Sequence, residues 1–204
     1  MNGENTRPVL DVSNLPRVAF GQRNVTWLGN ILYMTIEGTM FAMVIATYFF
    51  LRTRTTEWPT GGHVPPSLPF GLISAAVFLL SLVPARWIKV RAFEMNHAGV
   101  TLGLAILAGA GLIAIVLRVF EFGTLNCHWT DNAYASCLWV LLGLHSGHLV
   151  TEWFETLAIL GISLTGKMQG MRFADAAMNS DYWYFVVATA LLSDLVIYGT
   201  PRWL

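Results

Sequence analysis

Apolar residues occur in long runs along this chain, and polar residues gather in short clusters between them. A helix needs about 20 mostly apolar residues to cross the hydrocarbon core of a bilayer. Five stretches meet that requirement: 25–51, 68–88, 98–120, 134–164 and 182–199. Turn-forming clusters separate them, WPTGGHVPPSLP after the first and TGKMQG after the fourth. The second and third runs carry too little periodic polarity for surface helices. The pattern therefore predicts an all-α fold, a polytopic transmembrane bundle of five spans over residues 25–204. Residues 1–24 form a polar lead-in without the short apolar stretch and cleavage site of a signal peptide, so the first span is expected to act as the insertion signal.

Composition agrees. The chain is 55% hydrophobic and only 12% charged, about half the charge of an ordinary soluble domain. Its formal net charge is zero and no basic run exists, which leaves no case for a nucleic-acid partner. Positive charge still chooses an orientation. With the N-terminus inside, the cytoplasmic segments hold Arg7, Arg17, Arg23, Arg86, Lys89, Arg91, Lys167 and Arg172; the other side holds Arg52, Arg54, Arg118 and Arg202. The expectation is a cytoplasmic N-terminus and an outer C-terminus. Trp27, Trp58, Trp87, Trp129, Trp183 and Trp203 fall near predicted span ends, where aromatic belts sit. Cys127 and Cys137 share an outer loop region; two free thiols are the simpler reading, and one bridge is the alternative.

Ionisable residues within spans each cost a few kcal/mol at the membrane centre, so each suggests a partner or a function. Glu37 lies about eleven residues into the first span, close to the midplane at about 1.5 Å per residue. The fourth span carries His145, His148, Glu152 and Glu155 within an arc of roughly 80° at helical spacing. That stripe must face the bundle interior, a partner or a polar cleft. A metal site is one reading of it. Interhelical hydrogen bonding is preferred, because no other span bears a His. Gly143 and Gly147 flank His145 at the spacing of close helix approach. Arg118 and Glu121 suggest an interfacial ion pair at the end of the third span, and Asp194 must face inward with no partner that can be named. No phosphate loop and no nucleophile–base arrangement is present. A proton-coupled transporter using Glu37 is a further possibility, although no inverted repeat supports it.

Several stretches resemble subunit III of the heme-copper oxidases. Glu37-Gly-Thr-Met-Phe41, followed by Ala46-Thr-Tyr-Phe-Phe50, resembles the family's membrane Glu motif. Trp58-Pro59 resembles its loop Trp-Pro. Arg118-Val-Phe-Glu121-Phe122 and Asp131-Asn-Ala-Tyr134-Ala-Ser136 resemble its Glu-Tyr helix end and its Tyr-Gly-Ser loop. Gly143-Leu-His145-Ser-Gly-His148-Leu-Val150 is similar to its G-x-H-G-x-H-V, and Tyr182-Trp183 with Phe185-Val186 resembles its last helix. The motifs span most of the chain in order and match the five-helix bacterial form. Tyr184, Val187, Ala135 and Glu152 depart from the family pattern.

The resemblance implies a non-catalytic subunit of a cytochrome c oxidase-like, proton-translocating complex in the bacterial inner membrane. Such a subunit packs on subunit I beside other oxidase subunits, sustains proton uptake and holds phospholipid. The hemes and copper belong to partner subunits; this chain is expected to bind no metal or cofactor of its own. Glu37, Glu121, His145, His148 and Glu152 would form a polar, lipid-holding interior with no catalytic residue. A nitric oxide reductase accessory protein and a small metal enzyme built on the His145–Glu155 stripe are the alternatives.

Overall fold

A computed structural model describes residues 18–203, so most of the 1–24 lead-in lies outside the described residues. Five long helices follow: α1 Val25–Thr53, α2 Leu68–Phe93, α3 His97–Gly123, α4 Ala133–Leu164 and α5 Met171–Asp194. α5 continues through a π-helical turn, Leu195–Gly199, into a last turn at Thr200–Trp203. All five are long and apolar enough to cross a membrane. Side-chain caps begin three of them. Asn24, Asn96 and Asn132 each accept a hydrogen bond from a backbone N–H of the first turn, satisfying a donor that the helix start leaves free.

Helices α2, α3, α4 and α5 close into a four-membered ring, each packing on the next, and α1 lies against α4 and α5. α5 is the most buried span and α1 the least. The loops 54–67 and 124–132 share one end with the C-terminus, here the distal end; the turns after α2 and α4 mark the proximal end.

Small residues let the ring close. A Cβ on Gly111 would lie 2.7 Å from Trp153 Cδ1 and 3.2 Å from Trp183 Cη2, and one on Gly103 would lie 2.6 Å from Ile88 Cγ1. Gly143 and Gly147, in contrast, have nothing within 4 Å of a Cβ position and are exposed. The expectation of close approach there is corrected. Two residues on either side of His145 means about 200° of helical rotation, which turns both glycines away from the interior that His145 faces.

α5 begins at Met171, eleven residues before the predicted start. The segment 171–181 carries Arg172, Asp175, Asn179, Ser180 and Asp181 and does not look like a span. It is helical because its polar groups find partners. Arg172 pairs with Asp175 at 3.2 Å, Asn179 bonds α4, and Asp181 accepts from Lys89 on α2. The earlier start moves Trp183 from a helix end to the centre of the bundle. It is fully buried and donates from Nε1 to Ser81 Oγ at 2.8 Å. It is not part of an aromatic belt.

Candidate functional site

The π-helical turn, the last turn of α5 and the distal loops bring several aromatic residues together. Trp58 Nε1 donates to the Tyr48 hydroxyl at 2.9 Å, which leaves the phenol proton for Thr200 Oγ1 at 2.6 Å; Thr200 then donates to the Val196 carbonyl at 2.7 Å. The Trp58 ring meets Tyr48 and Tyr134 edge-on, both at 5.0 Å between centroids. These contacts join α1, its following loop, α4 and the end of α5.

The polar layer near mid-bundle is built from α1, α4 and α5. Glu37 is 5% exposed. Its Oε1 lies 3.0 Å from His148 Nε2, and its Oε2 accepts from the Tyr182 hydroxyl. His148 Nδ1 is 2.6 Å from the Leu144 carbonyl. A carbonyl can only accept, so Nδ1 carries a proton. The contact at Nε2 then holds one more proton, as imidazolium facing carboxylate or as neutral carboxyl facing imidazole. In either arrangement Glu37 and His148 share a single proton, and both carboxyl oxygens are bonded.

His145 sits one turn away and makes a different contact. It is fully buried, and its Nε2 donates to the Val186 carbonyl on α5 at 3.0 Å. Phe41 stands between α1 and the two imidazoles, with its ring 5.3 Å from His148 and 6.4 Å from His145. Phe78 from α2 closes the other side of His145 edge-on at 5.4 Å. Glu152 is buried one turn further along. Its Oε1 accepts from Asn179 Nδ2 at 2.5 Å, and Asn179 also bonds Thr156. These bonds clasp α4 to α5.

Glu155 completes the stripe but is exposed. It borders a cleft of about 310 Å³ lined by Thr26, Asn30, Tyr33, Met178 and Tyr182 between α1, α4 and α5. The four groups of the stripe thus go to four destinations: His145 to a backbone carbonyl, His148 to Glu37, Glu152 to Asn179, and Glu155 to the cleft. Among the described residues, no group of three His, Cys, Asp or Glu side chains is arranged to hold a metal ion.

Glu121 stands apart from this layer. It is fully buried, and with it Arg118, which is 2% exposed. Arg118 Nη1 donates to Glu121 Oε2 and, at 3.2 Å, to Asp194 Oδ1 on α5. The expected interfacial pair is a buried triad, and Asp194 has a partner that sequence reading could not name. Arg118 lies 76 positions from Asp194, and only the closure of the ring, with α2 packed on both α3 and α5, brings them together. Cys127 and Cys137 are free thiols.

The motifs that resemble subunit III meet in this geometry. Glu37 and Phe41 face His145 and His148, while Trp58 faces Tyr134. Known proteins carry the same likeness. The chain is 22% identical over 182 residues to cytochrome c oxidase subunit 3 of Synechocystis sp., covering 87% of this chain and 77% of that one. It is 24% identical over 189 residues to cytochrome c oxidase subunit 3 of a Bacillus species, covering 87% and 89%. It is 27% identical over 176 residues to quinol oxidase subunit 3 of Bacillus subtilis, covering 81% of each chain. This chain belongs to the subunit III family of the heme-copper oxidases. No protein-family profile matches the sequence. As a subunit III of the five-helix form, it is a multi-pass membrane protein of a respiratory oxidase and a partner of other oxidase subunits.

Proposed function

We propose that this subunit III is a non-catalytic, direct neighbour of the heme-bearing subunit I, and that its mid-bundle polar layer sustains proton uptake by the complex. The observation that carries the proposal is the Glu37–His148 contact at 3.0 Å, closed by Tyr182. It is a buried site with one shared proton and three hydrogen-bonding residues from three helices. His145 and Glu152 hold α4 against α5 on either side of it, so their part is to position His148. Glu121 belongs to a separate buried triad.

The cleft beside this layer suits a phospholipid. It combines the Tyr33 and Tyr182 rings, stacked 5.9 Å apart, with Asn30 and Glu155 at its polar edge. α1, the least buried span, offers an apolar face to acyl chains or to subunit I. The excess of Lys and Arg at the proximal end favours a cytoplasmic N-terminus, with residues 1–24 as a short lead-in and 25–204 as the membrane domain. The membrane is then a bacterial inner membrane, and the hemes and copper belong to partner subunits. The relatives are named for cytochrome c and quinol oxidases, which favours an oxidase complex over a nitric oxide reductase.

Purification of the complex from native membrane tests this. The chain should co-purify with a heme subunit. Glu37→Gln, incorporated at wild-type level, should lower steady-state turnover without changing heme content. Isolation free of any heme protein would overturn the assignment to an oxidase. Unchanged turnover in Glu37→Gln would overturn the role in proton uptake.

A further inference from the structure

The triad on α3 and α5 holds more polar atoms than it satisfies. Among the described residues, Glu121 Oε1, Asp194 Oδ2, and Arg118 Nε and Nη2 are buried without a hydrogen-bond partner, as are Ser74 Oγ on α2 and the Tyr198 hydroxyl in the π-helical turn. Ser74 lies beside Glu121, and the Tyr198 hydroxyl lies in the field of all three ions. Tyr198 is fixed over α2, because a Cβ on Gly71 would sit 2.5 Å from its ring. Buried polar groups are nearly always hydrogen-bonded, to the protein or to ordered water. Six such atoms on side chains that neighbour one another mark out a small polar chamber.

Its charge does not balance. One guanidinium faces two carboxyl groups in a protein interior surrounded by apolar side chains, where an uncompensated charge is strongly disfavoured. Among the described residues, no other cation is bonded there. Arg202 donates to the carbonyls of Tyr198 and Pro66. His145 on α4 lies across the Phe78 ring, which Arg118 also contacts at 5.2 Å, and its Nε2 is bonded to Val186. α2 contributes only the Ser74 hydroxyl. The smallest group that restores neutrality is a proton, and each carboxyl has a free oxygen on which to hold it.

We propose that Arg118, Glu121 and Asp194, with Ser74 and Tyr198, form an internal hydrated site that holds one exchangeable proton between its two carboxyl groups. Asp194 and Tyr198 also line a groove of about 360 Å³ between α2 and α5 that reaches Arg202 and Trp203 at the distal end, where the chamber can exchange its proton with water. This site is separate from Glu37 and His148 and does not depend on their role.

Infrared difference spectroscopy tests it on the protein purified from membranes with the subunits it carries. Wild type minus Glu121→Gln, and wild type minus Asp194→Asn, should each show loss of one protonated-carboxyl C=O band. Either variant leaves Arg118 paired with one ionised carboxylate, so the band should vanish in both; loss in only one identifies the carboxyl that carries the proton and supports the site. The band should move to lower frequency in D2O. Ser74→Ala keeps Arg118 and both carboxyl groups, and should shift the band's frequency by removing the hydroxyl beside Glu121; it serves if the other variants fail to assemble. No band lost in either carboxyl variant overturns the proposal, as does a band unmoved by D2O. If only Ser74→Ala assembles, an unchanged spectrum overturns it.

Discussion

Glu37 on α1 and His148 on α4 meet at 3.0 Å with a single proton between them. The geometry of the histidine fixes this, because its other nitrogen faces the Leu144 carbonyl and must donate. A glutamine at position 37 can still accept from Tyr182 through its carbonyl and donate from its amide NH2 to an unprotonated His148 Nε2. A leucine leaves both partners buried and unpaired, at about 1–3 kcal/mol for each. Glu37→Gln should therefore keep thermal stability close to wild type, and Glu37→Leu should lower it markedly or abolish accumulation of the subunit. Equal melting temperatures for the two variants would show that the bonds to Glu37 contribute nothing to folding.

The relay from Trp58 through Tyr48 to Thr200 makes a second test. Tyr48→Phe keeps the ring in its edge-on contact with Trp58 but removes the one atom that bonds both neighbours. The Trp58 N–H and the Thr200 hydroxyl are not equally affected, since Thr200 retains the Val196 carbonyl. The expected cost is about 1–3 kcal/mol, mostly from the unpaired indole N–H. Trp58→Phe on the Tyr48→Phe background should then cost less than on wild type. A double-mutant cycle on thermal unfolding measures the difference.

Glycine positions distinguish the packing faces sharply. Gly111→Ala places a methyl group 2.7 Å from the Trp153 ring, whose Nε1 is held by the Ala108 carbonyl at 2.8 Å and cannot easily retreat. Overpacking of this kind costs about 1–3 kcal/mol. Gly143→Ala and Gly147→Ala meet nothing within 4 Å and should leave stability unchanged or raise it slightly, since alanine favours the helix. Thermal unfolding of the three variants decides it; a loss at position 147 as large as at 111 would place a partner surface on that face of α4.

The same residues explain what the sequence could and could not tell. Apolar run length alone located α1 to α4 within a few residues, since a span must be long and apolar whatever it packs against. The start of α5 was hidden because Asn179 and Asp181 are polar for the sake of Glu152 and Lys89, partners on other helices. The depth of Glu37 was legible from its place in the first span, the inward face of His145 and His148 from helical periodicity, and their joint position from the family motifs. The exposure of Gly143 and Gly147 was also legible, by the rotation that separates them from His145. The pairing of Arg118 with Asp194 was not, because it depends on the ring that sets α5 across from α3. Glu155 shares the arc of the stripe yet borders the cleft between α1, α4 and α5.

Cys127 supplies a pH-dependent test outside the membrane spans. Burial pushes its thiol up to about 11, and the nearby Asp131 carboxylate adds to the shift. The raised value means that the neutral thiol persists through the usual alkylation range. The thiolate, the reactive form, increases tenfold for each pH step below that midpoint. Near pH 8 only about a thousandth is thiolate, against roughly a quarter for an unperturbed cysteine. Iodoacetamide should therefore label Cys127 slowly near pH 8 and increasingly faster toward pH 10. Asp131→Asn should speed labelling by removing one of the two causes, while the burial that dominates remains. Mass spectrometry of the peptide containing Cys127, with Cys127→Ser as the blank, follows the rate. Labelling at the rate of an unperturbed thiol near pH 8 would show that the 124–132 loop opens in the membrane-bound protein.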